Sequence, residues 1–233
     1  ATKMVTKLPA GTVGIVTGEI ARYTMFHLDL QALQVPDGTA MAWAQGINIS
    51  ANLNKIVLLL QGEWLCVMND DHRFNAKTLL ALLSKFARPW NGERVDVLVP
   101  ITSIRKPPFH PVIYVPDEEA EGRYRPVSWQ QLPTKDLFCS VGGVPIRAGG
   151  AGMLIRRTVF EALDAPWFEK GKTAPDALGE DIWFCEKCLK AGIKVWADPS
   201  VALGHTTPMT IWPARNARKQ WRVDLDIGED MML

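Results

Sequence analysis

The sequence predicts an α/β fold in which a central, mostly parallel mixed sheet is flanked by helices. Short buried-type runs of apolar residues alternate with segments whose apolar residues recur at helical spacing, as in parallel strands joined by helical crossovers. The chain has 233 residues, of which 47% are hydrophobic and 22% charged, so it can bury a sizeable core. We therefore expect a single domain over residues 1–233.

Residues 1–100 carry the most regular alternation. A β-rich run bounded by glycines predicts the first strand at Val13–Thr17, followed by a loop. Asn75 is a good helix cap before an apolar face of leucines. The further elements expected here are a strand at Met41–Ala44, a helix at Asn52–Leu60, a strand at Trp64–Met68, a helix at Ala76–Phe86 and a strand at Val95–Pro100.

Residues 101–207 are less regular. The stretch Ile104–Thr134 is rich in proline and clustered charge, which predicts long loops or a hairpin over the sheet. Residues 208–233 form a polar tail that is first basic and then acidic. The elements expected before the tail are a glycine-rich turn into a strand at Arg147–Ile155, a helix at Thr158–Leu163, a helix that opens at Gly179 and ends at Gly192, a strand at Ile193–Ala197 and a short strand before His205.

The charge balance excludes a globally basic protein. Lys and Arg total 26 and Asp and Glu total 25, so the formal net charge is +1, and only a local basic strip could attract nucleic acid. No run reaches the ~18 uninterrupted apolar residues of a transmembrane helix, so we expect no membrane span. Cys185 and Cys188 form a C-x-x-C string without a second pair, which favours reduced cysteines over a zinc site. These features predict a cytoplasmic protein.

An acidic cluster directly follows the apolar strand Trp64–Met68. Asn69, Asp70 and Asp71 would lie at the carboxyl end of that strand, where open α/β sheets bind ligands. Adjacent carboxylates repel each other unless something positive lies close by, and Mg²⁺ or Mn²⁺ prefers such oxygen ligands. The alternative is a turn and helix cap, since Asn and Asp favour both.

Two further segments carry candidate functional residues. Glu180 and Asp181 follow a glycine just before an amphipathic helix. Capping explains one of these acids, whereas a carboxylate presented at a helix start beside a cleft can act as a general base toward a hydroxyl. His205 follows a short strand-like run, where it is either a structural residue or a metal ligand.

Taken in order, these segments resemble the GT-A fold of nucleotide-sugar-dependent glycosyltransferases, above all family 2 and small soluble relatives, some of them encoded by phages. The resemblance covers roughly residues 11–207. It implies a single GT-A, Rossmann-like domain with a nucleotide-binding half (1–100), an acceptor-binding half (101–207) and a C-terminal tail (208–233). The segments that carry it are Asn52–Phe74 with its acidic strand end, the glycine-rich Arg147–Leu163, Gly179–Gly192 with its Glu-Asp pair, and Asp198–His205.

The resemblance also implies a role for individual residues. Asp71 and His205 would bind Mn²⁺ or Mg²⁺, and Asp181 would be the catalytic base with Glu180 as an acceptor or sugar contact. Asn69 stands where the family's motif often begins with Asp, which removes one charge. The residues expected to bind the nucleotide-sugar are Thr17, Gly18, Asn52, Asn69, Asp70, Gly149 and Gly150, and those expected at the acceptor are Trp167 and Trp183.

The function implied by the resemblance is transfer of a sugar from a UDP- or GDP-linked donor to an acceptor hydroxyl, with inversion at the anomeric carbon. A base in modified DNA is one candidate acceptor, a role known among phage relatives. The tail interleaves cations with aromatic residues over Ile211–Arg222, which suits binding of nucleic acid or sugar phosphates but is also typical of a solvated strip whose tryptophans pack on the domain. Two alternatives stay open: a metal-dependent nucleotidyltransferase or hydrolase that uses the same acidic clusters, and a non-catalytic nucleotide-sugar-binding domain.

Overall fold

A computed structural model describes residues 8–18, 24–120, 122–170, 179–206 and 209–227. Within them, strands and helices alternate in the first half, and short strands dominate the second. In chain order the elements are β1 (Thr12–Thr17), α1 (Thr24–Ala32), β2 (Ala40–Gln45), α2 (Ile49–Leu58), β3 (Trp64–Asn69), β4 (His72–Arg73), α3 (Thr78–Phe86), β5 (Val97–Ile101), β6 (Ile113–Pro116), β7 (Tyr124–Pro126), a 3-10 turn (Trp129–Gln131), β8 (Ser140–Val141), β9 (Val144–Pro145), β10 (Arg147–Ala148), β11 (Leu154–Arg156), α4 (Arg157–Ala162), α5 (Glu180–Lys190), β12 (Val195–Ala202), β13 (Gly204–Thr206), β14 (Met209–Arg215) and β15 (Trp221–Ile227).

Six strands form the central sheet in the order β12-β5-β11-β3-β1-β2. β11 runs antiparallel to both of its neighbours, and the other pairs are parallel. The predicted α/β fold with a mixed, mostly parallel sheet is therefore confirmed. Since β1, β2, β3, β5 and β12 point the same way, their carboxyl ends meet at one edge, where ligands bind in sheets of this kind.

The two faces of this sheet are covered by separate apolar clusters. Along β3, Leu65 and Val67 pack on the side of α2, whereas Cys66 and Met68 pack on the side of α3. Both faces are buried, which is why these strands consist of near-continuous apolar runs. Gly14 lets α2 approach β1 closely, because a Cβ there would lie 2.3 Å from Ile56 Cγ2.

Most element boundaries of residues 1–100 lie within two residues of the sequence prediction. The corrections concern α2 and α1, β4, which was not predicted, and α3, whose N-cap is Lys77 rather than Asn75. α2 begins at Ile49, three residues before the predicted Asn52, because the Asn48 side chain caps it by accepting a hydrogen bond from Ala51 N at 3.0 Å. α1 was not predicted because its apolar residues do not recur on one face of the helix. Phe26 is the only residue of α1 that is buried. Such a helix has little signal in a single sequence.

The irregular second half contains more strand pairing than the sequence indicated. The predicted hairpin within Ile104–Thr134 is formed by β6 and β7, which pair antiparallel and extend to β10. The polar tail contains a second hairpin, β14 and β15, which joins β13 and β4 in a four-stranded sheet. That sheet places a strand next to β4, directly after the acidic strand end.

The structure also bears on the cysteines and on membrane spans. The four cysteines are free, and both Cys185 and Cys188 are buried. In the part of the chain that is described, no helix is long and apolar enough to cross a membrane.

Candidate metal centre and adjoining clefts

The acidic residues after β3 form the turn between two strands. β3 ends at Asn69 and β4 begins at His72, so Asp70 and Asp71 lie in between, with only 1% and 7% of their surfaces exposed. β13 pairs antiparallel with β4, which makes His205 the direct cross-strand partner of His72. Thr206 N donates a hydrogen bond of 2.7 Å to the Asp71 carbonyl. The backbone thus holds Asp71, His72 and His205 together.

The side chains of this cluster converge on one carboxylate. His72 Nδ1 lies 2.8 Å from Asp71 Oδ1, and His205 Nε2 lies 3.5 Å from Asp71 Oδ2. The two imidazole rings are stacked, with centroids 4.2 Å apart and planes inclined by 19°. One ligand atom from each of the three residues can be chosen so that all lie within 4.8 Å of one another, as in a metal site.

The hydrogen bonding of His205 supports a cation at this point. Its Nδ1 lies 2.7 Å from the carbonyl oxygen of Ser103, which can only accept, so Nδ1 donates the proton. In the neutral ring the lone pair is then on Nε2, which faces Asp71 Oδ2. Either a proton on Nε2 or a metal ion can join these two atoms, and metal-ligating histidines usually donate their other N–H in this way. The donor set therefore fits a divalent metal.

The protonation states also suit metal binding. Burial alone would raise the pKa of Asp71, but hydrogen bonds and charge from His205 and His72 outweigh it and hold that pKa well below its usual range. Burial lowers the pKa of His72 more than its bond to Asp71 raises it. A charged carboxylate and a neutral imidazole are the forms that bind a metal.

A cleft of about 560 Å³ extends from this cluster along the carboxyl ends of the strands. Of the residues predicted to bind the nucleotide-sugar or metal, it is lined by Thr17, Gly18, Asn69, Asp70 and Asp71.

Arg105 also lines this cleft and was not singled out by the sequence. Its NH1 lies 3.4 Å from Asp71 Oδ2, and 38% of its side chain is exposed. The cluster therefore borders a cleft that is lined by a partly exposed guanidinium group.

Asn52 holds the floor of this cleft from below. It is buried, and its Nδ2 donates to the carbonyl oxygens of Gly46 at 2.9 Å and Thr17 at 3.5 Å. These bonds join the ends of β1 and β2. Asn52 therefore positions the floor of the cleft, and the contact with a nucleotide-sugar expected of it stays a prediction.

Asp181 lies in the first turn of α5, and its side chain packs against Gly149 and Gly179. A Cβ at Gly149 would lie 1.8 Å from Asp181 Oδ2, so only glycine permits this approach. Ile182 N donates to Asp181 Oδ1 at 2.8 Å. Burial, and then the charge of Glu180, raise the pKa of Asp181 to about 6. This carboxyl group is poised to exchange a proton near neutral pH.

A small cavity of about 30 Å³ lies beside Asp181. Asp181, Glu180 and Gly150 line it, and it shares Asn69 and Ile49 with the larger cleft. The predicted donor-binding and catalytic residues are therefore neighbours.

Tyr114 is a further residue on the Asp181 side that the sequence did not single out. Burial, and then the charge of Asp181, raise the pKa of Tyr114 to about 12. Tyr114 is therefore close enough to Asp181 to sense its charge, and its hydroxyl stays protonated.

The two predicted acceptor residues lie elsewhere. Trp167 Nε1 donates to the Phe160 carbonyl at 2.9 Å, and its ring packs edge-on against Phe160. Trp183 Nε1 donates to Glu169 Oε1 at 3.0 Å. Neither indole lines the cleft or the small cavity, where Phe168 is present instead. Their acceptor role stays a prediction.

Comparison with known proteins bears on the fold and not on the chemistry of the site. No protein-family model and no curated protein sequence matches the chain. Among solved structures, the crystal structure of A197 from STIV matches with a TM-score of 0.59 and 13% sequence identity, over 92% of this chain and 93% of that chain. At this identity the likeness shows a shared fold alone. Fold and site together define an α/β protein with a candidate metal centre at the carboxyl edge of its sheet.

Proposed function

We propose that the protein is a metal-dependent glycosyltransferase of GT-A type that moves a sugar from a nucleotide-diphosphate donor to an acceptor hydroxyl. The observation that carries the proposal is the adjacency of two kinds of carboxylate. Asp71 belongs to a cluster fit for a divalent cation, and Asp181 has a pKa of about 6. They line cavities that share Asn69 and Ile49.

The cleft suits the donor. Its volume of about 560 Å³ falls within the roughly 300–1,000 Å³ of small-molecule sites. Thr17 and Gly18 would contact the nucleoside above the floor that Asn52 fixes, and Asp70 would lie near the ribose. The half-exposed Arg105 would bind the diphosphate, since a guanidinium forms paired hydrogen bonds with phosphate oxygens.

Metal and base would divide the chemistry between them. A Mn²⁺ or Mg²⁺ ion held by Asp71 and His205 would stabilise the negative charge that develops on the leaving diphosphate. The bond from the anomeric carbon to the donor phosphate oxygen breaks while the acceptor oxygen bonds to that carbon. Asp181 accepts the acceptor's hydroxyl proton, and a single such base is consistent with inversion.

The acceptor would reach the sugar from the Asp181 side of the small cavity. A hydroxyl on a modified DNA base is a candidate, because Arg218 and Lys219 are exposed at the turn of the β14–β15 hairpin.

A panel of nucleotide-sugars with and without Mn²⁺ tests the proposal, read first as a shift of the melting temperature. We expect a UDP- or GDP-linked sugar to stabilise the protein only with the metal, and free nucleoside triphosphates to have no comparable effect. Stabilisation by triphosphates instead would favour a nucleotidyltransferase. The stabilising donor is then incubated with candidate acceptors, and binding without any transferred sugar would indicate a non-catalytic domain.

A further inference from the structure

We propose that the candidate metal centre has three protein ligands, Asp71, His72 and His205, and therefore prefers nitrogen-binding divalent metals to Mg²⁺. The inference deepens the proposed function, on which it rests for the use of the metal. The ligand set itself is inferred from the side chains alone. It adds His72 to the pair that the resemblance implies.

His72 has the character of a ligand rather than of an ordinary core residue. Only 3% of its surface is exposed, yet its Nε2 has no hydrogen-bond partner in the described part of the chain. Its Nδ1 lies 2.8 Å from Asp71 Oδ1. Because the two nitrogens of an imidazole point in divergent directions, Nδ1 is the atom that can share an ion with Asp71, and the unpartnered Nε2 carries the ring proton.

The arrangement of the two imidazoles is set by the backbone. His72 and His205 are direct partners in the β4–β13 ladder, and their rings stack at 4.2 Å. Each ring lies close to a different oxygen of the Asp71 carboxylate. The Ser103 carbonyl fixes the orientation of the His205 ring. A ligand set held in this way needs little reorganisation when a metal binds.

Two imidazoles and one carboxylate determine which metals the site prefers. Mg²⁺ requires near-octahedral oxygen coordination and keeps several waters, so imidazole adds little to its binding. Imidazole suits Fe²⁺, Co²⁺, Ni²⁺ and Zn²⁺, and sites with nitrogen ligands generally bind each of these more tightly than Mn²⁺. We therefore expect Mn²⁺ to bind more tightly than Mg²⁺, and Co²⁺ and Zn²⁺ more tightly still.

The test uses the metal-free full chain and needs no donor or acceptor. Co²⁺ is titrated while its visible absorption is recorded, and Mg²⁺, Mn²⁺ and Zn²⁺ compete against it. His72→Asn is the decisive variant, because its amide can keep the N–H donor toward Asp71 but offers no imidazole nitrogen. We expect His72→Asn to weaken Co²⁺ binding by ~10–100-fold while Mg²⁺ binding changes far less. His27→Asn, at a ring that stacks on Trp43, is the matched control and should bind Co²⁺ like the original protein.

A second measurement counts the ligands without any variant. In the proton NMR spectrum of the Co²⁺ form, each ligating imidazole should contribute one strongly shifted, exchangeable N–H signal, so two signals are expected. One signal, or Co²⁺ affinity unchanged by His72→Asn, would show that His72 only orients Asp71 and would overturn the inference. Equal affinity for Mg²⁺ and Co²⁺ would do the same. None of these outcomes bears on donor binding, which the nucleotide-sugar panel tests separately.

Discussion

Asp71 and Asp181 are two carboxylates at the same edge of the sheet with opposite electrostatic surroundings. At Asp71, hydrogen bonds and charge from His205 and His72 outweigh burial, and the pKa lies well below its usual range. At Asp181, burial comes first and the charge of Glu180 second, and the pKa rises to about 6. The same side chain is thus a permanent anion at one position and a group close to its protonation equilibrium at the other.

This difference separates two chemical tasks. A carboxylate that stays charged at any ordinary pH can hold a cation, whereas a general base must both accept and release a proton. Asn69 lines both cavities and carries no charge, so it adds no further repulsion between the two acids. Asn69 therefore lies where the two surroundings meet.

The largest expected effect tests the task given to Asp181. Asp181→Asn keeps the shape of the side chain but cannot accept a proton, so kcat should fall by ~10²–10⁴-fold. Donor-induced and metal-induced melting shifts should remain. Asp37→Asn, in an exposed loop, is the matched control and should retain its kcat. A variant of Asp181 with nearly normal kcat would remove the contrast between the two carboxylates.

A smaller loss of kcat is expected when Gly149, which packs against Asp181, is replaced. In Gly149→Ala the new Cβ would lie 1.8 Å from Asp181 Oδ2, so the carboxylate must move. A displacement of this kind can lower kcat by ~10²-fold through misplaced geometry. Because the substitution lies outside the Asp71 cluster, Co²⁺ affinity should stay unchanged. Loss of Co²⁺ binding together with kcat would mean that the two regions are not separable.

The sequence predicts where three candidate site residues lie, and their roles stay predictions. Asp71 and Asp181 follow from strand-end and helix-start patterns, whereas the metal role of His205 comes from the resemblance. His72 was next to the acidic pair but received no role, because β4 has two residues and no periodicity. Its pairing with β13 is a long-range contact that local pattern does not encode.

Other omissions have different physical reasons. Arg105 belongs to a proline-rich stretch, although it follows β5 by four residues and so lies at the same sheet edge as Asp71. That position could have been recognised from the strand-end rule. For Trp167 and Trp183 the residue type suggested a sugar contact. Their indole N–H groups bond to Phe160 O and Glu169 instead, which only the tertiary structure decides.

The smallest expected effect is on stability. Asp181→Asn and Asp71→Asn should change the free energy of unfolding in opposite directions. In the unfolded chain both carboxyls titrate near ~4. The folded pKa of Asp181, about 6, lies above that value, so the folded state loses stability as pH rises through this window. Asp181→Asn should therefore raise the free energy of unfolding at neutral pH by about 1–3 kcal/mol, and this gain should vanish below pH ~4.

The lowered pKa of Asp71 gives the opposite result. Its charge stabilises the fold above the unfolded pKa, and that stability is lost only as pH falls below ~4 toward the lowered value. Asp71→Asn should therefore lower the free energy of unfolding at neutral pH, by roughly 1–3 kcal/mol, because buried imidazoles lose their charged partner. Urea unfolding in chelator-containing buffer, at neutral pH and near pH ~4, measures both variants without metal. If both shifted in the same direction at neutral pH, the two carboxylates would not have the opposed surroundings on which their assigned tasks depend.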